Sequence, residues 1–492
     1  MSLLLALPAA VGLWLVTGGR ALPVARARIT TAVAAALTLL LAVATALSDS
    51  SVDRPWLPQL DVRFSFGVDG IAVPLVLLTA VIGVLVAAHA WVEVPEGGTP
   101  ATFLGCLLLV EAGALATFTA RDAVLFFLAF ELVLVPMWLL IGRYGDRHDP
   151  RARTDASQRF VLYTAVGSTL MLVGILALVG WAGTSDLREL AGGAGAALTH
   201  ERQLTVAVLL VLGLAVKVPV FPLHTWLPPA HTTAPTAGSV LLAAVLLKMG
   251  TYGLVRLPVA TVPDGFTTIS PVLAVAGVIG IVWGGLVCLV ERDLKRLVAY
   301  SSVAHMGFVV LALAAGSDTG LQAALFANIA HGVVSALLFV LVGGLKLRWG
   351  TADLASPRPA LRETSPRLGF VLILGLAATL GLPGLAGFWG EVLAIYAAWA
   401  PASSRPGPVF VVCAVVAAVG AALAGAYALR VARLVWIGDR PAPGAEAATP
   451  DTDGVEAGVL GVLAIAVVLL GVVPGPLLAI TAAASAAIGG SP

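Results

Sequence analysis

Long apolar runs follow one another along the whole chain, separated by short polar stretches. Fourteen such runs begin near Ser2, Arg28, Asp69, Ala101, Ala123, Phe160, Gln203, Pro235, Ser270, Leu297, Gly320, Arg367, Pro408 and Val455. An α-helix needs roughly 20 apolar residues to cross the hydrocarbon core. The pattern therefore predicts an all-α polytopic membrane protein with about 14 transmembrane helices. Some runs open on a carboxylate: Asp69 precedes GIAVPLVLLTAV and Asp122 precedes AVLFFLAFELVL. A carboxylate there accepts the orphan N–H groups of a helix start. The first run, MSLLLALPAAVGLWLVTGG, has no basic residue before its apolar part; Arg20, Arg26 and Arg28 follow it. It reads as a first membrane helix rather than a cleaved leader.

Composition agrees: 59% of the 492 residues are hydrophobic and 11% are charged. Orientation follows from the Lys/Arg bias between alternate loops. Loops after odd-numbered runs hold 17 basic residues (Arg20, Arg26, Arg28, Arg143, Arg147, Arg151, Arg153, Arg159, Arg292, Lys295, Arg296, Lys346, Arg348, Arg358, Arg362, Arg367 and Arg440). The other loops hold seven: Arg54, Arg63, Arg121, Arg188, Arg202, Arg256 and Arg405. The bias predicts both termini on the non-cytoplasmic side of a bacterial cell membrane. No basic stripe with interleaved aromatics points to nucleic acid. Cys106, Cys288 and Cys413 lie far apart in apolar runs, without metal or haem spacing, and no phosphate-binding loop occurs. The chain is expected to hold no metal and no redox cofactor. Thr184 to Arg202 reads as a polar outer loop with a short surface helix, and Gly438 to Gly454 as a Pro/Ala/acid linker.

A few ionisable residues fall inside the runs. Glu111 lies in FLGCLLLVEAGALATF and Glu131 in AVLFFLAFELVLVPMWLLI; Lys217 follows LTVAVLLVLGLAV and Lys248 follows AGSVLLAAVLL. His305 lies in LVAYSSVAHMGFVVLAL, His331 in LQAALFANIAHGVVSALLF, and Glu391 after GLPGLAGFWG. A charge at the centre of a membrane helix costs about 2.5–3.5 kcal/mol on insertion scales, so such groups need partners or water and mark ion paths. Burial disfavours a lysine's charge and a nearby carboxylate favours it. A buried lysine with a movable acid, such as Lys217 with Glu131, is thus equipped for a proton relay.

Two runs are interrupted. KVPVFP places Pro219 and Pro222 just after Lys217, and GLPGLAGFWGE occupies Gly381 to Glu391. Proline removes a backbone bond and clashes one turn back. Broken backbone at membrane depth is tolerated where it lines a cavity or is buried in protein. Paired interruptions in two halves point to an ion path in inverted-repeat transporters. The expected organisation is residues 1–100 for helices 1–3, 101–257 for a first five-helix repeat, 270–437 for a second, inverted one, and 438–492 for the linker and helix 14. Helices 7 and 12 are the broken ones.

The stretches FSFGVDGIAVPLVLLTA, DAVLFFLAFELVLVPMWLLIG, KVPVFPLHTWLPPAHTTAPTAGSVLLAAVLLKMGTYGLVR and DLKRLVAYSSVAHMGF resemble the antiporter-like, proton-translocating subunits. That family serves NADH:quinone oxidoreductase (respiratory complex I) and multisubunit Na⁺/H⁺ antiporters. The resemblance spans about Phe64 to Arg433. Within it, Glu391 and the surroundings of Glu131 and His331 look like subunit M. The resemblance implies Glu131 paired with Lys217, Lys248 at the centre of a hydrophilic axis, and His305 and His331 bridging towards Glu391. Glu111 has a looser counterpart. It further implies sister membrane-arm subunits as partners, with NAD, FMN, iron–sulfur clusters and quinone held elsewhere in the assembly. The alternative is a subunit of a Na⁺/H⁺ antiporter or a hydrogenase-type complex.

Overall fold

The structure is a computed structural model. It describes every residue except 49, 61, 357–359, 439–449, 453 and 490–492, and no side chain at 60 or 483–489. Arg358, Arg440 and most of the expected linker lie outside the described residues.

The chain is a bundle of helices: α1 Ser2–Thr17, α2 Val24–Ala46, α3 Ala72–His89, α4 Pro100–Thr119, α5 Ala123–Glu131, α6 Leu134–Tyr144, α7 Pro150–Ala182, α8 His200–Lys217 and α9 Leu227–Thr233. There follow α10 Thr236–Val259, α11 Pro263–Val290, α12 Leu294–Ala314, α13 Asp318–Trp349, α14 Pro366–Thr379, α15 Ala386–Trp399, α16 Gly407–Ile437, α17 Gly454–Val472 and α18 Gly475–Gly489. Eleven helices among the described residues are long and apolar enough to cross a membrane, counting α5 and α6 together. The apolar helices α1 and α14 are shorter. A small antiparallel hairpin, β1 Val52–Leu57 and β2 Val62–Phe66, adds strand to the expected helices.

The capping carboxylates sit where the sequence puts them. Asp69 accepts from the N–H groups of Ile71 and Ala72 at 3.1 and 3.0 Å. Asp122 accepts from Val124 and Leu125, both at 2.9 Å. The outer loop carries the short helix Leu187–Glu189, which runs into a π turn at Leu190–Ala194.

The two prolines after Lys217 end α8 at that residue, and helix resumes only at Leu227. The glycine-rich stretch separates α14 from α15, with Gly381 and Gly384 at φ of +69° and +88°. A third interruption was not expected. The run from Ala123 turns at Leu132 and Val133 before α6 begins. Pro136 explains it: the Leu132 carbonyl, four residues back, has no proline N–H to receive.

Small residues set the tightest crossings, as is general where lipid supplies no hydrophobic drive between helices. A Cβ on Gly213 of α8 would fall 2.5 Å from the Gly167 carbonyl oxygen of α7. A Cβ on Gly307 of α12 would meet the Gly277 carbonyl of α11 at the same distance. Helix α13, which carries His331, is buried along its whole apolar window.

Candidate proton pathway

A line of polar side chains runs from Lys248 of α10 into the second half of the molecule. Lys248 follows a π turn, Leu242–Leu246, within α10. Its fully buried Nζ donates to the Ala243 carbonyl at 2.9 Å and to His331 Nδ1 at 2.5 Å. His331 Nε2 has no partner among the described residues. The His331 ring lies 5.8 Å, centroid to centroid, from that of His305. His305 Nδ1 is 2.6 Å from the Ser301 carbonyl; Nε2 is 3.1 Å from the Thr379 carbonyl and 3.3 Å from Glu391 Oε1. Both nitrogens face oxygen acceptors, which matches the two N–H donors of an imidazolium.

The backbone break serves this cluster. Thr379 is the last residue of α14, so its carbonyl lacks an intrahelical donor and His305 supplies one. Glu391 folds back over the break: a Cβ on Gly381 would come within 2.5 Å of Glu391 Oε2. A cavity of about 30 Å³, lined by Ser301, Ser302, His305, His331, Ser335 and Glu391 among others, lies between these groups. One water needs about 10–15 Å³ and two or more polar partners, so the cavity has room for water.

The first half is arranged differently. The expected Glu131–Lys217 ion pair is not made. Glu131 Oε1 instead accepts from the Ser168 hydroxyl at 2.5 Å. Lys217 Nζ is buried without a hydrogen-bond partner among the described residues. It lies 5.0 Å from the Phe130 ring centroid and 5.9 Å from that of Phe160. Glu131 still acts on it electrostatically from beyond contact. The aromatic faces contribute about 0.5–2 kcal/mol towards holding the cation. The physical reason for the separation is the turn at Leu132–Val133, which ends α5 at Glu131 beside α7. Lys217 packs against α10, its Cβ 3.1 Å from where Gly250 would carry one.

Glu111 is fully buried, with Oε1 unpartnered, against Gly83 of α3, whose added Cβ would lie 2.4 Å from that oxygen. No described hydrogen bond or ion pair joins it to the other site residues.

Several polar residues near the axis escape sequence reading. Ser168 is one small hydroxyl in an apolar run, and only its Gly167 neighbour hints at a close approach. Lys295, counted above as a loop charge, is 4% exposed in the first turn of α12 and donates to the Ala234 carbonyl. Its signal was the cap: Asp293 Oδ1 accepts from Arg296 N at 2.8 Å, which places Lys295 inside the helix. His231 is buried, with neither ring nitrogen partnered among the described residues, and stacks on Phe339 at 4.4 Å.

Lys295 floors a cavity of about 470 Å³ on the face rich in positive charge, lined also by Glu93, Asp146, His148 and Lys346. Burial alone would raise the Asp146 carboxyl, but hydrogen bonds from Lys346 and His148 hold it well below the usual carboxylate range. Among the described residues, no group of three His, Cys, Asp or Glu could hold a metal ion.

Comparison with known proteins identifies the family. A family model described as the transmembrane part of NADH:quinone oxidoreductase and Mrp antiporters matches residues 120–420. NAD(P)H-quinone oxidoreductase chain 4 1 of Trichodesmium erythraeum is 35% identical over 423 residues, 85% of this chain and 78% of that protein. A chain of respiratory complex I from Thermus thermophilus with bound NADH superposes with a TM-score of 0.86 at 30% identity, covering 99% of both chains. A chain of the Mrp complex from Dietzia sp. superposes with a TM-score of 0.85 at 26% identity, covering 98% of this chain and 52% of that one. The chain belongs to the NADH:quinone oxidoreductase/Mrp antiporter transmembrane family.

Proposed function

We propose that this chain is the subunit-M-type, proton-translocating member of the membrane arm of a complex I-type NADH:quinone oxidoreductase. The observation that carries the proposal is the alignment of two polar contacts, Lys248–His331 and His305–Glu391, whose histidine rings lie 5.8 Å apart. A proton on Lys248 passes to His331 Nδ1 along the existing contact. His305 first gives its Nε2 proton to Glu391, and the neutral ring is then refilled from His331 across the gap between their rings, by way of water in the cavity that both line. Lys217 and Glu131 load the series from the cytoplasmic side, and the cavity beside Glu391 supplies water for release. The inverted five-helix repeats, the count of fourteen spans and the outward placement of both termini belong to this proposal. The broken helices α8–α9 and α14–α15, one in each half, support it.

Moving one elementary charge against the membrane potential costs about 2.3 kcal/mol per 100 mV. Side-chain titration does not supply that energy. The driving reaction, NADH oxidation with flavin, iron–sulfur clusters and quinone, is assigned to partner subunits. The exposed apolar side chains of the outer helices suit lipid and sister membrane-arm subunits.

The test is proton pumping in inverted membrane vesicles fuelled by NADH, comparing wild type with Lys217→Ala. The proposal expects the gradient to be lost while the assembled complex persists. An unchanged NADH-driven gradient rejects it. The likeness to the Mrp chain makes Na⁺/H⁺ exchange the second reading, and Na⁺-driven proton movement in vesicles lacking NADH identifies it.

A further inference from the structure

Helix α17 lies outside the proton series, yet it touches it at a telling place. Gly471, in the last turn of α17, is pressed against the break between α14 and α15. A Cβ there would fall 2.3 Å from the Gly384 carbonyl carbon and oxygen and from Leu385 Cα. The Gly471 carbonyl accepts from the Trp389 indole N–H at 2.8 Å. A carbonyl in the last turn has no intrahelical donor of its own, so this bond meets an otherwise orphaned acceptor. Trp389 is two residues before Glu391. At its other end α17 is tied to α13, the helix of His331: Arg348 donates to both oxygens of the buried Glu456, at 3.0 and 2.5 Å, and to the Pro450 carbonyl at 2.7 Å.

We infer that α17 is a brace that fixes the backbone break, and that Gly471 and Trp389 are positioning residues for the Glu391 carboxylate. The inference rests on the proton-pathway reading for its functional consequence, but its geometric part stands alone. The left-handed Gly384 leaves the break without a regular hydrogen-bond ladder, so a neighbour must hold it. Gly471 allows backbone-to-backbone contact, and the indole bond sets its height. Glu391 sits over Gly381 on the inner side of the same break, so a shift of the break carries the carboxylate away from His305.

The experiment uses the assembled complex with Gly471→Leu, Trp389→Phe and, as control, Gly461→Leu. Gly461 lies on the same helix, and an added Cβ there meets nothing within 4 Å. The first readout is the infrared absorption of the Glu391 carboxyl group, identified by its loss in Glu391→Gln. The second is protons pumped per NADH across a pH series.

The brace predicts that Gly471→Leu and Trp389→Phe move the Glu391 band and displace the pH profile of pumping, while Gly461→Leu changes neither. A carboxylate misplaced by ~1 Å lowers the rate by up to about 100-fold. In a Glu391→Gln background Gly471→Leu should have no further effect on pumping. An unmoved band in Gly471→Leu overturns the inference, as does an equal loss of pumping with and without Glu391. A moved band in a protein whose Glu391→Gln variant pumps normally leaves the brace standing and overturns the proton-pathway reading instead.

Discussion

The two halves of the molecule hold their buried charges in opposite ways. In the second, His331 contacts Lys248 of the preceding half, and His305 contacts Glu391, so each buried group there has a polar neighbour. In the first, Glu131 is held by Ser168 while Lys217 lies against aromatic rings without a hydrogen bond among the described residues. The second half is wired and the first is open. Under the proposed function, an open pair must close before it passes a proton. An uncompensated buried cation is costly. Without a direct carboxylate contact, Lys217 is not half of a structural ion pair among the described residues.

That contrast is breakable at defined places. The largest effect is expected from His331→Leu, which keeps an apolar body and removes the nitrogen that Lys248 contacts. Loss of a positioned acid–base group lowers rate by about 10²–10⁴-fold. NADH-driven proton pumping, normalised to assembled complex, measures it, and retention of more than half the wild-type rate would contradict the wiring of the second half. Ser168→Ala comes next. Hydrogen bonds to charged groups contribute about 1.5–3 kcal/mol. Removing this one leaves the Glu131 carboxylate without its described partner, and pumping slows by about 10- to 100-fold. Ser168→Thr, which retains the hydroxyl, should restore most of the rate. The smallest effect belongs to Phe130→Leu. It removes a ring face worth about 0.5–2 kcal/mol to the Lys217 cation. The expected result is a several-fold change in pumping, confined to the first half, with the infrared band of Glu391 unmoved.

Much of this was legible in the sequence, because its causes are local. Apolar runs of spanning length, Asp69 and Asp122 at helix starts, and Pro219 and Pro222 after Lys217 all act within a few residues. The structure shows each acting there. Pro136 was equally local and its break was missed, since an apolar run containing one proline resembles an unbroken span. What could not be read is tertiary. Nothing near Glu131 in sequence says that Ser168, 37 residues on, takes its carboxylate. Lys295 sits in a charge-rich loop motif, but α12 begins at Leu294 and buries it. Glu111 carries the same sequence signal as Glu131, an acid in an apolar run, yet it lies against Gly83 without a described polar link to the series. The hairpin β1–β2 was hidden because its strands fall in a polar stretch between two spans.

The central claim is that one series of side chains, joined at Lys248, carries protons through this chain. The most direct test is the number of protons translocated per NADH in inverted vesicles bearing Lys248→Met, with assembly of the complex verified in the same membranes. The account predicts a sharp fall in that number, because Met fills the lysine's space without a group that can bind a proton. A proton yield equal to wild type would contradict it.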